Sequence, residues 1–195
     1  PEMPSAPLAG RKAELQRAET QQLSRQQQAK TNLDIARTAR DASPGDIEVI
    51  LRFAMAAGAA EAHDEEISAL KTALNLSSFN PAIKSLLADA RYRQAGRFVT
   101  VPIRALIDEI LKERPDDVRA LFLYGLAAFQ DEDYPLAMSR FEHLLSLTPP
   151  DAPWSGTLIA QIKQTATKGG MPLPPGIAGP DADDIASAAE LSEEE

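Results

Sequence analysis

Val118-Arg119-Ala120-Leu121-Phe122-Leu123-Tyr124-Gly125-Leu126-Ala127-Ala128-Phe129-Gln130-Asp131-Glu132-Asp133-Tyr134-Pro135-Leu136-Ala137-Met138-Ser139-Arg140-Phe141 is the stretch on which the fold turns. Leu121-x-x-Tyr124-Gly125-x-x-Ala128 has the spacing of one helix face, and Ala137-x-x-x-Phe141 begins a second such face. Asp131-Glu132-Asp133 makes a polar turn between them. Gly125 and Ala137 fall where the two helices of a hairpin cross, since small side chains let backbones approach there. Tyr134 opens the second helix and covers that contact.

The same pattern recurs upstream. Pro81, Pro115 and Pro149 stand 34 residues apart, twice over. Each follows a short amphipathic run: Ala69-Leu70-x-x-Ala73-Leu74-x-Leu76, Ile107-x-x-Ile110-Leu111, and Phe141-x-x-Leu144-Leu145. A 34-residue period of paired helices closed by proline is the tetratricopeptide signature. Proline cannot continue a helix and pushes the residue before it out of the α region. The units are Ile50 to Ile83, Lys84 to Asp117 and Val118 to Asp151. The first keeps Ala57 and Ala69 at the crossing positions, with a turn at Glu61-Ala62-His63-Asp64. The second places Arg91 and Ile103 there, with a longer turn from Ala95 to Thr100 and Pro102 set to start its second helix. The predicted fold is all-α: a tetratricopeptide-repeat solenoid of three divergent helix hairpins, with a long N-terminal helix and a C-terminal capping helix.

Composition agrees. Of 195 residues, 44% are hydrophobic and 5% aromatic, and the apolar total leans on alanine and leucine, which favour helices over sheets. The net charge of −9 is uneven: Asp181 to Glu195 carries seven acids and no base, whereas Arg11 to Arg40 holds seven bases and three acids. Neither is the concentrated positive face that nucleic acid demands, so no nucleic-acid partner is expected. With no cysteine, disulfides, zinc-thiolate sites and thiol nucleophiles are excluded. The longest apolar run, Ala120 to Phe129, is far shorter than the roughly 20 residues that span a bilayer, and no membrane contact is expected of this stretch of chain. The chain opens at Pro1 without a signal-peptide pattern and reads as a piece of a longer protein.

Terminal repeats expose an apolar face and need caps. Residues 1–10 read as an extended lead-in and 11–45 as a polar, glutamine-rich N-terminal helix with a sparse stripe of Leu15, Ala18, Leu33 and Ala36. The repeat domain covers 46–168, closed by a capping helix from Ser155 to Lys168 with Leu158, Ile159 and Ile162 on one side and Trp154 just ahead of it. Residues 169–180 read as a Pro/Gly linker and 181–195 as an acidic tail, which charge asymmetry invites to fold over the basic first helix.

No catalytic constellation is found. His63 falls in a predicted turn and His143 on an outward helix position, neither with a ligand partner at metal-binding spacing. Asp116-Asp117 and Asp131 to Asp133 flank helix ends, where carboxylates cap amides. Phosphate-binding glycine loops are absent. The reading is a binding module, not an enzyme, with no metal and no cofactor.

In such an array the first helices line a concave surface, with positions 2, 5, 9 and 12 of each unit facing it. The third unit puts Arg119, Phe122, Leu126 and Phe129 there; the second gives Ser85, Ala88, Tyr92 and Ala95; the first gives Leu51, Ala54, Gly58 and Glu61. This apolar and aromatic lining suits an amphipathic helix, and Phe122 and Phe129 are its expected hot spots. The competing structural reading has the protein's own first helix covering these residues.

Ala120 to Phe129, Asp133-Tyr134, and Leu144-Leu145-Ser146-Leu147-Thr148-Pro149-Pro150-Asp151-Ala152-Pro153-Trp154 resemble the periplasmic repeat domain of the cytochrome c maturation family CcmI/CycH. The tail from Gly179 to Ser192 is similar to that family's downstream segment, and Pro4 to Ala9 is a weaker match. The resemblance implies an apocytochrome c chaperone. Such a protein holds the client's C-terminal helix and passes it to the haem-ligation complex, the haem belonging to the client and its ligase. It also implies a periplasmic location, tethered to the inner membrane through N-terminal segments absent from this chain. The alternative is a generic tetratricopeptide scaffold for an unrelated complex.

Overall fold

The computed structural model describes residues 6–149 and 151–177, with side chains from residue 15 onward. Among them the regular structure is eight helices and no strand: α1 (Ala6–Ala42), α2 (Ile47–Ala59), α3 (His63–Leu76), α4 (Pro81–Gln94), α5 (Val101–Glu113), α6 (Val118–Gln130), α7 (Tyr134–Ser146) and α8 (Ser155–Gly169).

Polar side chains set where these helices begin. Asp46 accepts from the Glu48 and Val49 amides at 2.9 and 3.2 Å, opening α2. Asp117 accepts from the Ala120 amide at 3.1 Å and Asp133 from the Leu136 amide at 3.1 Å, opening α6 and α7. Each satisfies an amide that the first helical turn leaves unpaired. Asn80 does the same for the Ala82 amide at 2.9 Å. Here the structure differs from the simple reading of the 34-residue period: Pro81 is the first residue of α4, not only a stop for α3. Proline fits that position because its missing N–H would have been unpaired anyway. The turn ahead of α3 is likewise tighter than expected, with Glu61 at φ 58° and His63 already helical.

The chain forms two compact units, Pro1–Gly96 and Arg97–Glu195. The boundary passes through the second repeat, between α4 and α5. That is the repeat whose crossing positions carry the bulky Arg91 and Ile103 where the other two carry Gly125, Ala57, Ala69 and Ala137.

In the first unit α1 packs on α2, α2 on α3 and α3 on α4. Ile50, Phe53, Ala57, Leu70 and Ala73 form its buried core. The C-terminal part of α1 joins through Leu33, which is buried, and through Arg40, whose guanidinium lies 4.2 Å from the centre of the Phe53 ring. α1 therefore takes the place that a preceding repeat's second helix would take, on the side of α2 that carries Phe53. Its first turns start at Ala6, ahead of the Arg11 expected from the polar pattern.

In the second unit α5 packs on α6, α6 on α7 and α7 on α8. Ile103, Ile107 and Ile110 line one face of α5, and Leu121, Phe141, Leu144, Leu158 and Ile162 fill the remaining layers. A Cβ placed on Gly125 would run into the ring of Phe141, which is fully buried. The α6–α7 approach therefore requires glycine there, and Ala137 across the hairpin is 0% exposed. α8 ends at Gly170 in the left-handed conformation, φ 61°, as a helix stop. Pro174 and Ile177, inside the stretch read as a linker, are buried. The acidic tail, residues 181–195, and the end of the linker, 178–180, lie outside the described residues.

Candidate peptide-binding face

Arg119, Phe122, Leu126 and Phe129 lie on one face of α6, three or four residues apart, as helical geometry requires. Arg119 is exposed, Phe122 and Phe129 are half-buried, and Leu126 is buried at their centre. Both aromatic rings are held from behind by α7. Phe122 tilts against Phe141, ring centres 5.9 Å apart, and Phe129 meets Tyr134 edge-on at 5.6 Å. Such pairs add about 0.5–1.5 kcal/mol each beyond burial. They also restrict the rotamers of the two outward rings. Arg140 of α7 completes the packing on the far side of α6, its guanidinium 4.5 Å from the Tyr124 ring centre.

In the first unit the predicted positions divide between two helices. Ala54 and Gly58 lie on α2, Ala88 and Tyr92 on α4. Ala54 and Ala88 are buried, while Gly58 and Tyr92 are half-buried. The surroundings of Gly58 were not legible from its position in the repeat. A Cβ there would meet Glu66 Oε1 at 2.7 Å, so the glycine makes room for a carboxylate. Glu66, on α3 and 6% exposed, accepts from Arg93 Nη2 at 2.6 Å and Nη1 at 3.0 Å. Arg93, on α4, also reaches Asp89 at 3.3 Å. Burial acts most strongly on Arg93 and opposes its charge, but the Glu66 hydrogen bonds and the pull of Asp89 outweigh it and push its pKa up. Next to this pair the Gln94 amide donates to Asp64 at 2.6 Å. The only sequence signal for the arrangement is a glycine inside an otherwise alanine-rich helix.

A second pair ties α1 to α3. Arg37 donates to both oxygens of Glu65, at 2.9 and 2.5 Å. These hydrogen bonds hold the Glu65 carboxyl below the usual carboxylate range, against the opposing effect of burial. Beside it, Arg40, Ile50, Phe53, Glu65, Ser68 and Thr72 line an open recess of about 240 Å³. His63 sits in the first turn of α3, half-buried, with Nδ1 3.7 Å from Glu66 Oε2, and His143 lies 3.3 Å from Asp116. Among the described residues no group of three or more His, Asp or Glu is placed to hold a metal ion. None of the described helices is long and apolar enough to cross a membrane.

The helix pairs α2–α3 and α6–α7, each with small residues at its crossing, give the chain a tetratricopeptide-repeat fold. Solved structures agree on the fold. The APC/C hetero-tetramer Cut9–Hcn1 matches with a TM-score of 0.63 at 20% identity, over 86% of this chain and 31% of that one. MamA from Desulfovibrio magneticus matches with a TM-score of 0.54 at 15% identity, over 94% of this chain and 97% of that one.

In sequence the chain is similar to the cytochrome c-type biogenesis protein CycH of Pseudomonas aeruginosa, 34% identical over 117 residues, which is 58% of this chain and 28% of the relative. It is also similar to NrfG, a subunit of the formate-dependent nitrite reductase complex of Escherichia coli, 28% identical over 88 residues, 45% of this chain and 44% of the relative. The resemblance to CcmI/CycH is thus borne out, while the chain spans less than half the length of either curated relative. No protein-family model matches the sequence.

Proposed function

We propose that this chain is a non-catalytic peptide-binding module of c-type cytochrome maturation, which holds the C-terminal helix of an unfolded apocytochrome c for delivery to the haem-ligation complex. The observation that carries the reading is the α6 face, where Phe122 and Phe129 are half-buried with their rings braced by α7. Braced aromatics are the side chains that dominate helix-in-groove interfaces. Similarity to CycH, a cytochrome c-type biogenesis protein, supports the choice of an apocytochrome c as client. The same reading puts the chain in the periplasm, tethered by other parts of the full protein. It assigns haem to the client and no cofactor to this chain.

Incubating a reduced apocytochrome c with the chain under limiting protease tests the holding role. Protection confined to the client's C-terminal segment, and lost with Phe129→Asp, is the expected result. Cleavage at the same rate with and without the chain refutes it. Similarity to NrfG favours a second reading, a scaffold subunit that docks a folded enzyme complex. Under that reading the unfolded client goes unprotected, while a folded partner co-migrates with the chain in gel filtration.

A further inference from the structure

We infer that the α6 face is electrically polar and binds its helix in one direction only, antiparallel to α6, with the bound helix's free C-terminal carboxylate on Arg119. This inference rests on the peptide-binding reading above.

Arg119 is the exposed residue at the start of the face, and among the described residues it makes no hydrogen bond or ion pair. Neither of the two acids just ahead of it is paired with it. Asp117 is buried, 3.1 Å from Arg114, and caps Ala120, while Asp116 lies 3.3 Å from His143 on α7. At the other end of the face, beyond Phe129, Asp131, Glu132 and Asp133 are all exposed. Arg104 takes both oxygens of Asp131, at 2.9 and 2.6 Å, and Asp133 caps α7. Glu132, held at φ 60° in the turn, has no ion pair among the described residues. Among the described residues, an unpaired cation and an unpaired carboxylate thus mark the two ends of an apolar strip.

Arg119 and Phe129 are ten residues apart, so the strip is about 15 Å long, three turns of a partner helix. The dipole of α6 adds the same signs, positive at Arg119 and negative at Glu132. A partner helix has its own positive N-terminus and negative C-terminus. Laid antiparallel, its negative end meets Arg119 and its positive end meets Glu132; laid parallel, like ends face each other. A free C-terminal carboxylate just beyond the last apolar anchor strengthens the match, because guanidinium takes carboxylate in paired, charge-assisted hydrogen bonds. The occupant this selects is an amphipathic helix that ends a chain, with apolar residues at i, i+3 or i+4, and i+7.

The test uses the whole chain and the C-terminal helix peptide of an apocytochrome c, with a nitroxide label at one end or the other. A C-terminal label is expected to broaden the amides of Val118 to Phe122, and an N-terminal label those of Asp131 to Asp133. Amidation of the peptide is expected to weaken binding about five- to tenfold in the natural chain, and to change it less than twofold in Arg119→Gln. The reverse broadening pattern, equal broadening at both ends, or indifference to amidation overturns the directional claim while leaving peptide binding intact. Absence of saturable binding by the unlabelled peptide overturns the functional reading and this inference with it.

Discussion

Replacing Gly58 by alanine is expected to destabilise the first unit, against the ordinary preference of helices for alanine. In an open helix the change stabilises by about 1 kcal/mol. Here the new Cβ would stand 2.7 Å from Glu66 Oε1 and 2.9 Å from its Cδ, closer than real Cβ atoms come. The carboxylate has to move, and it is the acceptor of the 2.6 and 3.0 Å bonds from Arg93. Charge-assisted hydrogen bonds contribute about 1.5–3 kcal/mol each. The Arg93 side chain keeps 31% of its exposure, so water replaces part of what is lost. Weakening both bonds by about half, less the propensity gain, leaves a net loss of about 0.5–2 kcal/mol. With Glu66→Ala the obstacle is gone, and Gly58→Ala should then stabilise by up to about 1 kcal/mol. Urea unfolding followed by far-ultraviolet circular dichroism on the four chains of this cycle measures the difference. Equal effects in the two backgrounds, or stabilisation of the natural chain, would refute the coupling.

Gly125→Ala is expected to destabilise by about 1–2 kcal/mol, because overpacking against the fully buried Phe141 exceeds the propensity gain; thermal unfolding reads it. Asp46→Ala removes the acceptor for two amides of α2 and should destabilise by about 1 kcal/mol in urea titrations. Glu65 has a folded-state pKa below its unfolded value, so the native state binds fewer protons than the unfolded one. Its contribution is therefore complete above about pH 4.3 and lost as pH falls through the lower folded value. Arg37→Met should flatten this acid loss in stability measured from about pH 6 down to pH 3.

The third repeat was legible because everything it needs is local. Gly125 and Ala137 at the helix crossing and acids at both helix starts all lie within a single hairpin and follow from helix spacing and capping. The Glu66–Arg93 pair was not legible, since its partners stand 27 residues apart and meet only when α3 packs on α4. The position of α1 was hidden for a related reason. Its apolar stripe is too thin to announce a packing face, and beside Leu33 the docking uses Arg37 and Arg40, which meet Glu65 and the Phe53 ring. Pro81 carried two signals at once, a stop for one helix and a first residue for the next, and Asn80 ahead of it was the sign of the second. On the α6 face, side-chain types pointed to the aromatic strip, but the bracing by Phe141 and Tyr134 needed the hairpin in three dimensions.

Calorimetric titration of the chain with the C-terminal helix peptide of an apocytochrome c tests the central claim most directly. A scrambled peptide and a Phe122→Asp, Phe129→Asp double variant serve as controls. The account predicts saturable binding of the native peptide alone, with a negative heat-capacity change from apolar burial, and loss of that binding in the folded double variant. Undiminished affinity in the double variant, or no binding of the native peptide by the folded natural chain, would contradict it.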